Sequence, residues 1–208
     1  MTTTPDQTAV RLPVLDEEAR GLLFTNARTA NSFTDEPVSD ETLASIWDLA
    51  KWPPTAANTQ PLRVVYVRSE AGKARLVPLM SEGNQAKTET APAVAILAAD
   101  VDFHEFIPQV FPIRPQMKDN FEAAGEEGRE KFARFNGALQ AGYFLLAARA
   151  HGLAAGPMAG FDADAVSAEF FPGGRHRAIL VVNLGHPGVD PWFDRQPRLP
   201  HEDVITWA

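Results

Sequence analysis

Apolar positions along this chain change period several times, and each change predicts an element. Between Ser39 and Trp52, Leu43, Ile46, Trp47 and Ala50 recur at helical spacing, with Ser39 placed to cap and Asp40 and Glu41 in the first turn, so a helix is predicted there. Leu62 to Val67 is a β-branched run of strand length, and residues 93–98 and 178–184 are continuous apolar runs suited to strands covered on both faces. Residues 70–80 read as a short helix whose end Pro78 limits. From Arg129 to His151 the stripe Phe132, Phe135, Leu139, Gly142, Tyr143, Leu146 and Ala150 predicts the clearest helix. Gly152 closes it, and it is expected to run through the centre of the core, with Gly142 open to another helix such as one of a second subunit.

Breakers organise the rest. Pro108, Pro112, Pro115, Gly125 and Gly128 mark residues 101–128 as a long, lid-like excursion. Residues 156–162 cannot be regular helix, because Gly156, Pro157 and Gly160 interrupt them; a short helix over 163–170 follows. Residues 53–61 form a proline-bracketed loop in which Thr55, Ala56 and Ala57 permit close approach and the carboxamides of Asn58 and Gln60 offer donors and acceptors. Such a loop suits a planar polar ligand, and it suits an ordinary helix exit equally well. Alternating helices and strands make the chain α/β or α+β. One domain over 14–208 is expected, preceded by a disordered polar start over 1–13, with no internal repeat.

Composition narrows the chemistry. With 208 residues, 45% of them hydrophobic, the chain can bury one sizeable core. A net charge of -8 and a pI near 5.1 argue against nucleic acid or an anionic membrane as partner and favour a small molecule. The chain has no cysteine, which excludes thiol nucleophiles and Cys-based metal sites, so redox chemistry would come from a cofactor. Five scattered histidines lack paired metal-ligand spacing, and no metal is expected. No run approaches the roughly 18 apolar residues of a membrane span and no signal pattern opens the chain, so a soluble cytoplasmic protein is expected. Neither a Gly-x-Ser-x-Gly elbow nor a Walker loop nor a Gly-x-Gly-x-x-Gly turn occurs.

Five separated segments agree with one another. They are residues 27–33 (Ala-Arg-Thr-Ala-Asn-Ser-Phe), the loop 53–61, residues 84–87 (Asn-Gln-Ala-Lys), residues 156–162, and residues 195–200 (Arg-Gln-Pro-Arg-Leu-Pro). In this order they resemble the nitroreductase family of flavoproteins, and more closely its malonic semialdehyde reductase branch. The resemblance covers residues 20 to 200 approximately and implies an α+β, three-layer fold with a central, mainly antiparallel sheet flanked by helices. It also implies an intertwined homodimer whose tail, residues 189–208, wraps the partner.

The same resemblance implies FMN as cofactor and NAD(P)H as hydride donor. Arg28, Thr29 and Asn31 would meet the phosphate and ribityl chain, with Arg195 and Arg198 as a C-terminal clamp; a guanidinium can donate twice to phosphate oxygens. Asn84 and Lys87 would hold the pyrimidine edge. Pro157, Met158, Ala159 and Gly160 would line the reacting edge through their backbone, and Lys87, Ala159 and Gly160 would be the catalytic positions. Thr55, Ala56, Asn58 and Gln60 would contact the flavin bound mainly by the partner. The implied reaction is ping-pong hydride transfer to a small acceptor such as malonic semialdehyde, giving 3-hydroxypropionate, with Arg114 or Lys118 available for the substrate carboxylate. Nitroaromatic or quinone reduction, and flavin binding without turnover, are the alternatives.

Overall fold

The computed structural model describes residues 11–208. The disordered start expected over 1–13 therefore lies, for residues 1–10, outside the described residues; residues 11–13 are irregular and exposed. A short helix α1 (Glu17–Arg20) continues into a π-helical turn (Gly21–Thr25), neither of which the apolar pattern predicted. Helix α2 (Asp40–Ala50) follows its predicted span, and the Ser39 hydroxyl accepts from the Thr42 amide at 3.1 Å.

Strand β1 (Leu62–Val67) leads to helix α3 (Glu70–Leu76), which tightens into a 3₁₀ turn at Val77–Leu79 where Pro78 intervenes. Helix α4 (Glu82–Thr90) then feeds β2 (Ala93–Asp100), whose eight residues are all buried. The remaining strands are β3 (Ala154–Met158) and β4 (His176–Gly185), with helix α8 (Ala163–Phe170) between them.

The sheet has the order β1-β2-β4-β3, and every pairing is antiparallel. Helices cover both faces. On one side Leu43 and Ile46 of α2 and Phe144 of the long helix α7 (Gly125–Ala150) pack on Ala93, Ala95 and Leu97. On the other, Leu76 of α3 and Val166 of α8 pack on Val94 and Ile96. Because successive side chains of β2 alternate between faces, its unbroken apolar run is what a strand between two helical layers requires. Each large apolar side chain buried there stabilises the fold by roughly 1.5–3 kcal/mol.

Three segments need comment. First, residues 156–162 contain no helix, as expected, and Gly156, Pro157 and Met158 belong to β3, an edge strand paired with Asn183, Val182 and Val181. Proline is tolerated there because an edge strand leaves alternate amides without a ladder partner. Second, residues 101–128 are mostly helical, with a 3₁₀ turn (Phe103–Phe106), α5 (Ile107–Val110) and α6 (Met117–Ala123). Phe103 and Ile107 are fully buried, and Phe103 forms a three-ring cluster with Phe121 and Phe132, which ties the segment to α7.

Third, α7 presents the opposite face to the core from the one predicted. Its buried residues include Ala133, Asn136, Gly137, Gln140, Ala141 and Phe144. Phe135, Leu139 and Tyr143 stand out at 72%, 42% and 36% exposure. Small residues win the inner face because the helix lies close to the sheet: a Cβ on Gly137 would come within 3.2 Å of Ile179. Gly142 meets nothing within 4 Å.

Candidate functional site

The N-terminal segment, β3 and the tail meet at one edge of the sheet. Thr29 makes a parallel bridge to Ala155, so residues 27–31 run alongside β3. Gly156 allows this closeness, since a Cβ there would lie 2.9 Å from the Ala30 carbonyl oxygen. The tail is laced onto the same segment: the Asn31 amide donates to the Pro191 carbonyl at 3.0 Å, and the Ser32 hydroxyl to that of Val189 at 2.7 Å. Arg28 donates to the Phe193 carbonyl, and Arg195 returns a bond to the Ala27 carbonyl at 3.2 Å.

Between these segments and the second half of α7 lies a cavity of about 460 Å³. Arg28, Thr29, Asn31, Pro157, Arg195 and Arg198, all singled out in the sequence, line it together. So does Arg149, which the sequence reading missed. Its spacing from Gly142, Leu145 and Leu146, which share the cavity wall, places it on that face of α7 and could have revealed it. Arg149 donates through Nε and Nη2 to the Leu22 carbonyl, at 2.9 and 2.6 Å, and burial pulls its pKa below the ordinary arginine value. Four arginines thus line the cavity, and among the described residues the one acidic residue in its wall is Asp194. That donor set fits an anionic, phosphate-like group, which planar guanidinium forks bind in pairs of parallel hydrogen bonds.

Beyond Pro157 the chain passes the start of α4. The Ser81 amide and the Asn84 carboxamide both donate to the Gly160 carbonyl, at 3.0 and 2.9 Å. A Cβ at Gly160 would fall 2.7 Å from Asn84 Nδ2, so glycine is what permits this contact. Asn84, Lys87, Ala159 and Gly160 are therefore gathered on one side of the β3 end. Lys87 is half-buried and has no carboxylate within ion-pair distance among the described residues. Ala159 is exposed, whereas the Met158 side chain is buried, with its sulfur 3.8 Å from Thr88 Oγ1. Any ligand contact by Met158 is consequently through its backbone.

The loop 53–61 is elsewhere. It joins α2 to β1, the strand at the far edge from β3, about 14 Å away across three interstrand spacings. Its backbone is unusual: Ala57, Asn58 and Gln60 have φ of 52°, 51° and 44°, a region that side chains disfavour. Buried side chains hold that geometry. Asn136 Oδ1 accepts from the Ala56 amide at 2.8 Å, and Gln140 Oε1 from the Leu62 amide at 3.0 Å, so α7 grips both ends of the loop. Thr55 Oγ1 accepts from the Gln60 amide at 3.1 Å, Asn58 donates to the Val110 carbonyl at 2.6 Å, and Arg63 donates to the Gln60 carbonyl at 2.9 Å.

Arg63 is fixed in turn by Asp100. This carboxylate is fully buried and accepts from Arg63 at 2.7 Å and from Arg175 at 2.6 and 2.9 Å. Burial alone would raise the Asp100 pKa; the Arg175 hydrogen bonds and the Arg63 charge outweigh it and hold the carboxyl below its usual range. None of Asn136, Gln140, Asp100 and Arg63 was singled out in the sequence, because Asn136 and Gln140 meet backbone amides about 80 residues away and the Asp100 carboxylate meets guanidinium groups 37 and 75 residues away. Arg114 and Lys118 are exposed near the start of α6 and do not line the cavity.

A three-layer α+β protein with a cationic cavity on one sheet edge and a strained, braced loop on the other defines a class built to bind a phosphorylated small molecule. Comparison with known proteins is specific. Residues 25–186 match the model of the nitroreductase family, and the chain belongs to that family. Over 197 residues it is 57% identical to a protein of Streptomyces coelicolor named "Putative NADH dehydrogenase/NAD(P)H nitroreductase", covering 95% of this chain and 97% of that one. Among solved structures, a "putative nitroreductase in complex with FMN" from Exiguobacterium sibiricum superposes with a TM-score of 0.83 at 22% identity, covering 96% of this chain and all of the other. A "putative NAD(P)H:FMN oxidoreductase" from Staphylococcus epidermidis gives 0.80 at 20% identity, covering 94% and 98%. At these identities the structures establish the shared fold.

Proposed function

We propose that this protein is an FMN-dependent NAD(P)H oxidoreductase that reduces a small organic acceptor. The observation that carries the reading is the cavity in which Arg28, Arg149, Arg195 and Arg198 converge beside Thr29, Asn31 and Pro157, the last of which leads along the chain to the Asn84–Gly160 contact. The family and the printed names of its relatives supply the cofactor and the donor.

In this reading Arg28, Arg195 and Arg198 hold the phosphate, with Thr29 and Asn31 along the ribityl chain. Asn84 and Lys87 hold the pyrimidine edge, and the backbone of Ala159 and Gly160 contacts the reacting edge. Bound FMN supplies a hydride carrier that the side chains of this chain do not provide. Lys87 contributes a fixed cation, which stabilises an electron-rich ring most where water is excluded. One site serves donor and acceptor in turn, as ping-pong kinetics require.

The loop 53–61 completes the site of a second copy in an intertwined homodimer. Three observations support this. The loop lies across the sheet from the cavity of its own chain, the face Phe135, Leu139 and Tyr143 is exposed, and the tail carries Leu199, Ile205 and Trp207 outward. Exposed apolar stripes of this kind mark association surfaces.

For the acceptor we propose a small aldehyde, malonic semialdehyde being the candidate that the sequence resemblance favours. Nitroaromatic or quinone reduction is the alternative that the relatives' names favour. Arg114 or Lys118 would meet an acceptor carboxylate in the dimer. No helix of the described residues is long and apolar enough to cross a membrane, and a cytoplasmic location fits. The test has two parts. Purified protein should be yellow, and the colour should bleach with NADH or NADPH in the absence of oxygen. Steady-state rates with malonic semialdehyde, a nitrofuran and a quinone then rank the acceptors; no turnover of the aldehyde removes the aldehyde assignment and leaves the reductase.

A further inference from the structure

Helix α4 carries both residues assigned to the pyrimidine edge; hydrogen bonds of Asn84 to the Gly160 carbonyl and of Gln85 to the Met80 carbonyl hold its first turn, but no apolar packing fixes the rest. Its sequence, residues 82–90, contains no large apolar side chain, and of its nine residues Thr88 alone is buried. Burial of an apolar stripe, which positions most helices, is therefore missing here.

Hydrogen bonds from below take its place. The last four carbonyls of a helix lack intrahelical donors, and in α4 these are residues 87–90. Asn183, near the end of β4 and fully buried, donates from Nδ2 to the Lys87 carbonyl at 3.0 Å and also lies 3.9 Å from the Met158 sulfur. Lys73 of α3, 9% exposed, donates from Nζ to the Glu89 carbonyl at 2.8 Å. Both arrangements cost free energy. Asn183 Oδ1 is buried with no partner, in a strand whose neighbours are Val181, Val182 and Leu184. A valine at 183 would avoid that cost.

We infer that Asn183 and Lys73 are positioning residues, which set the depth and tilt of α4 so that Lys87 meets the cofactor ring at a fixed distance. The inference rests on the functional reading above and deepens it. A polar residue that only stabilised the fold would be better replaced by an apolar one; a residue that positions α4 has to donate to it.

The test uses the full-length protein titrated with FMN. Asn183→Val matches its strand neighbours and removes both the donor and the unpartnered acceptor. It is expected to leave the melting temperature of the FMN-free protein unchanged or higher, to weaken FMN binding about fivefold, the worth of one net hydrogen bond, and to lower the midpoint potential of bound FMN. Lys73→Met, an independent route to the same helix, is expected to lower affinity and potential likewise. In a Lys87→Met background the Asn183→Val change in potential should vanish, because the cation it acts through is gone.

Unchanged affinity and potential in Asn183→Val overturns the inference. So does an affinity loss accompanied by a fall in melting temperature, or a potential shift that persists without Lys87. Wild-type protein that fails to bind FMN refutes the functional reading itself, and this inference with it; wild-type binding with an indifferent Asn183 refutes the inference alone.

Discussion

Asn136→Ala tests whether the braced loop serves a ligand. In the folded chain Asn136 is almost fully buried on α7, accepts from the Ala56 amide at 2.8 Å and donates to the Phe132 carbonyl at 3.1 Å. Truncation removes the acceptor that pins the start of a loop in which Ala57, Asn58 and Gln60 hold positive φ, at about 1 kcal/mol each. Losing that hydrogen bond and leaving a small cavity should destabilise the protein by about 2 kcal/mol. For a chain of this size the melting temperature should fall by about 4–8 °C, measured by circular dichroism on FMN-free protein. Because the strain is no longer held, the loop should relax, and FMN affinity measured by flavin fluorescence should drop by about tenfold, equivalent to roughly 1.4 kcal/mol. A melting temperature within about 1 °C of wild type would refute the assigned strength of the bond. A lower melting temperature with unchanged FMN affinity would refute the role of the loop in binding.

Three other outcomes are expected. Asp100→Asn leaves Arg63 and Arg175 without their buried carboxylate; since both guanidinium groups are about 30% exposed, the loss should be about 2–3 kcal/mol, below that of a wholly buried pair. The Asp100 pKa is lowered on folding, so its stabilisation is present above the unfolded value, about 3.9, and is lost as pH falls through the folded value; acid melts of Asp100→Asn should therefore show a shallower decline below about pH 4 than wild type. Arg28→Ala and Arg198→Ala should each weaken FMN by about tenfold or more while changing riboflavin binding little, as isothermal titration would show, because the charged hydrogen bonds involved are worth about 1.5–3 kcal/mol. If the proposed homodimer forms through this face, Phe135→Ser combined with Tyr143→Ser should shift it toward monomer in sedimentation velocity without lowering helix content, since both side chains are exposed within one chain.

Local patterns determined most of the architecture. Capping by Ser39, the proline at 78, the uninterrupted run of β2 and the strand around Val181 and Val182 each involve interactions within a few residues, or a simple alternation between two covered faces, and such signals are carried in the sequence itself. The five motif segments were legible too, as short strings with a fixed order.

What only the tertiary structure decided is which surfaces meet. Helical spacing reveals a stripe on α7 but not which stripe the sheet covers, and close packing chose Ala133, Gly137 and Ala141 over Phe135 and Tyr143. The strand formed by Gly156, Pro157 and Met158 exists because β4 offers a ladder, which outweighs weak local preference. Arg149, Asn136, Gln140 and Asn183 acquire their roles from carbonyls and amides far away in sequence, and hydrogen bonds to distant backbone leave no trace in residue spacing. The proline-bracketed loop shows both halves of this. Its residues announced a rigid, polar segment, whereas its place at the sheet edge opposite the arginine cavity follows from the strand order β1-β2-β4-β3, which is set by long-range pairing.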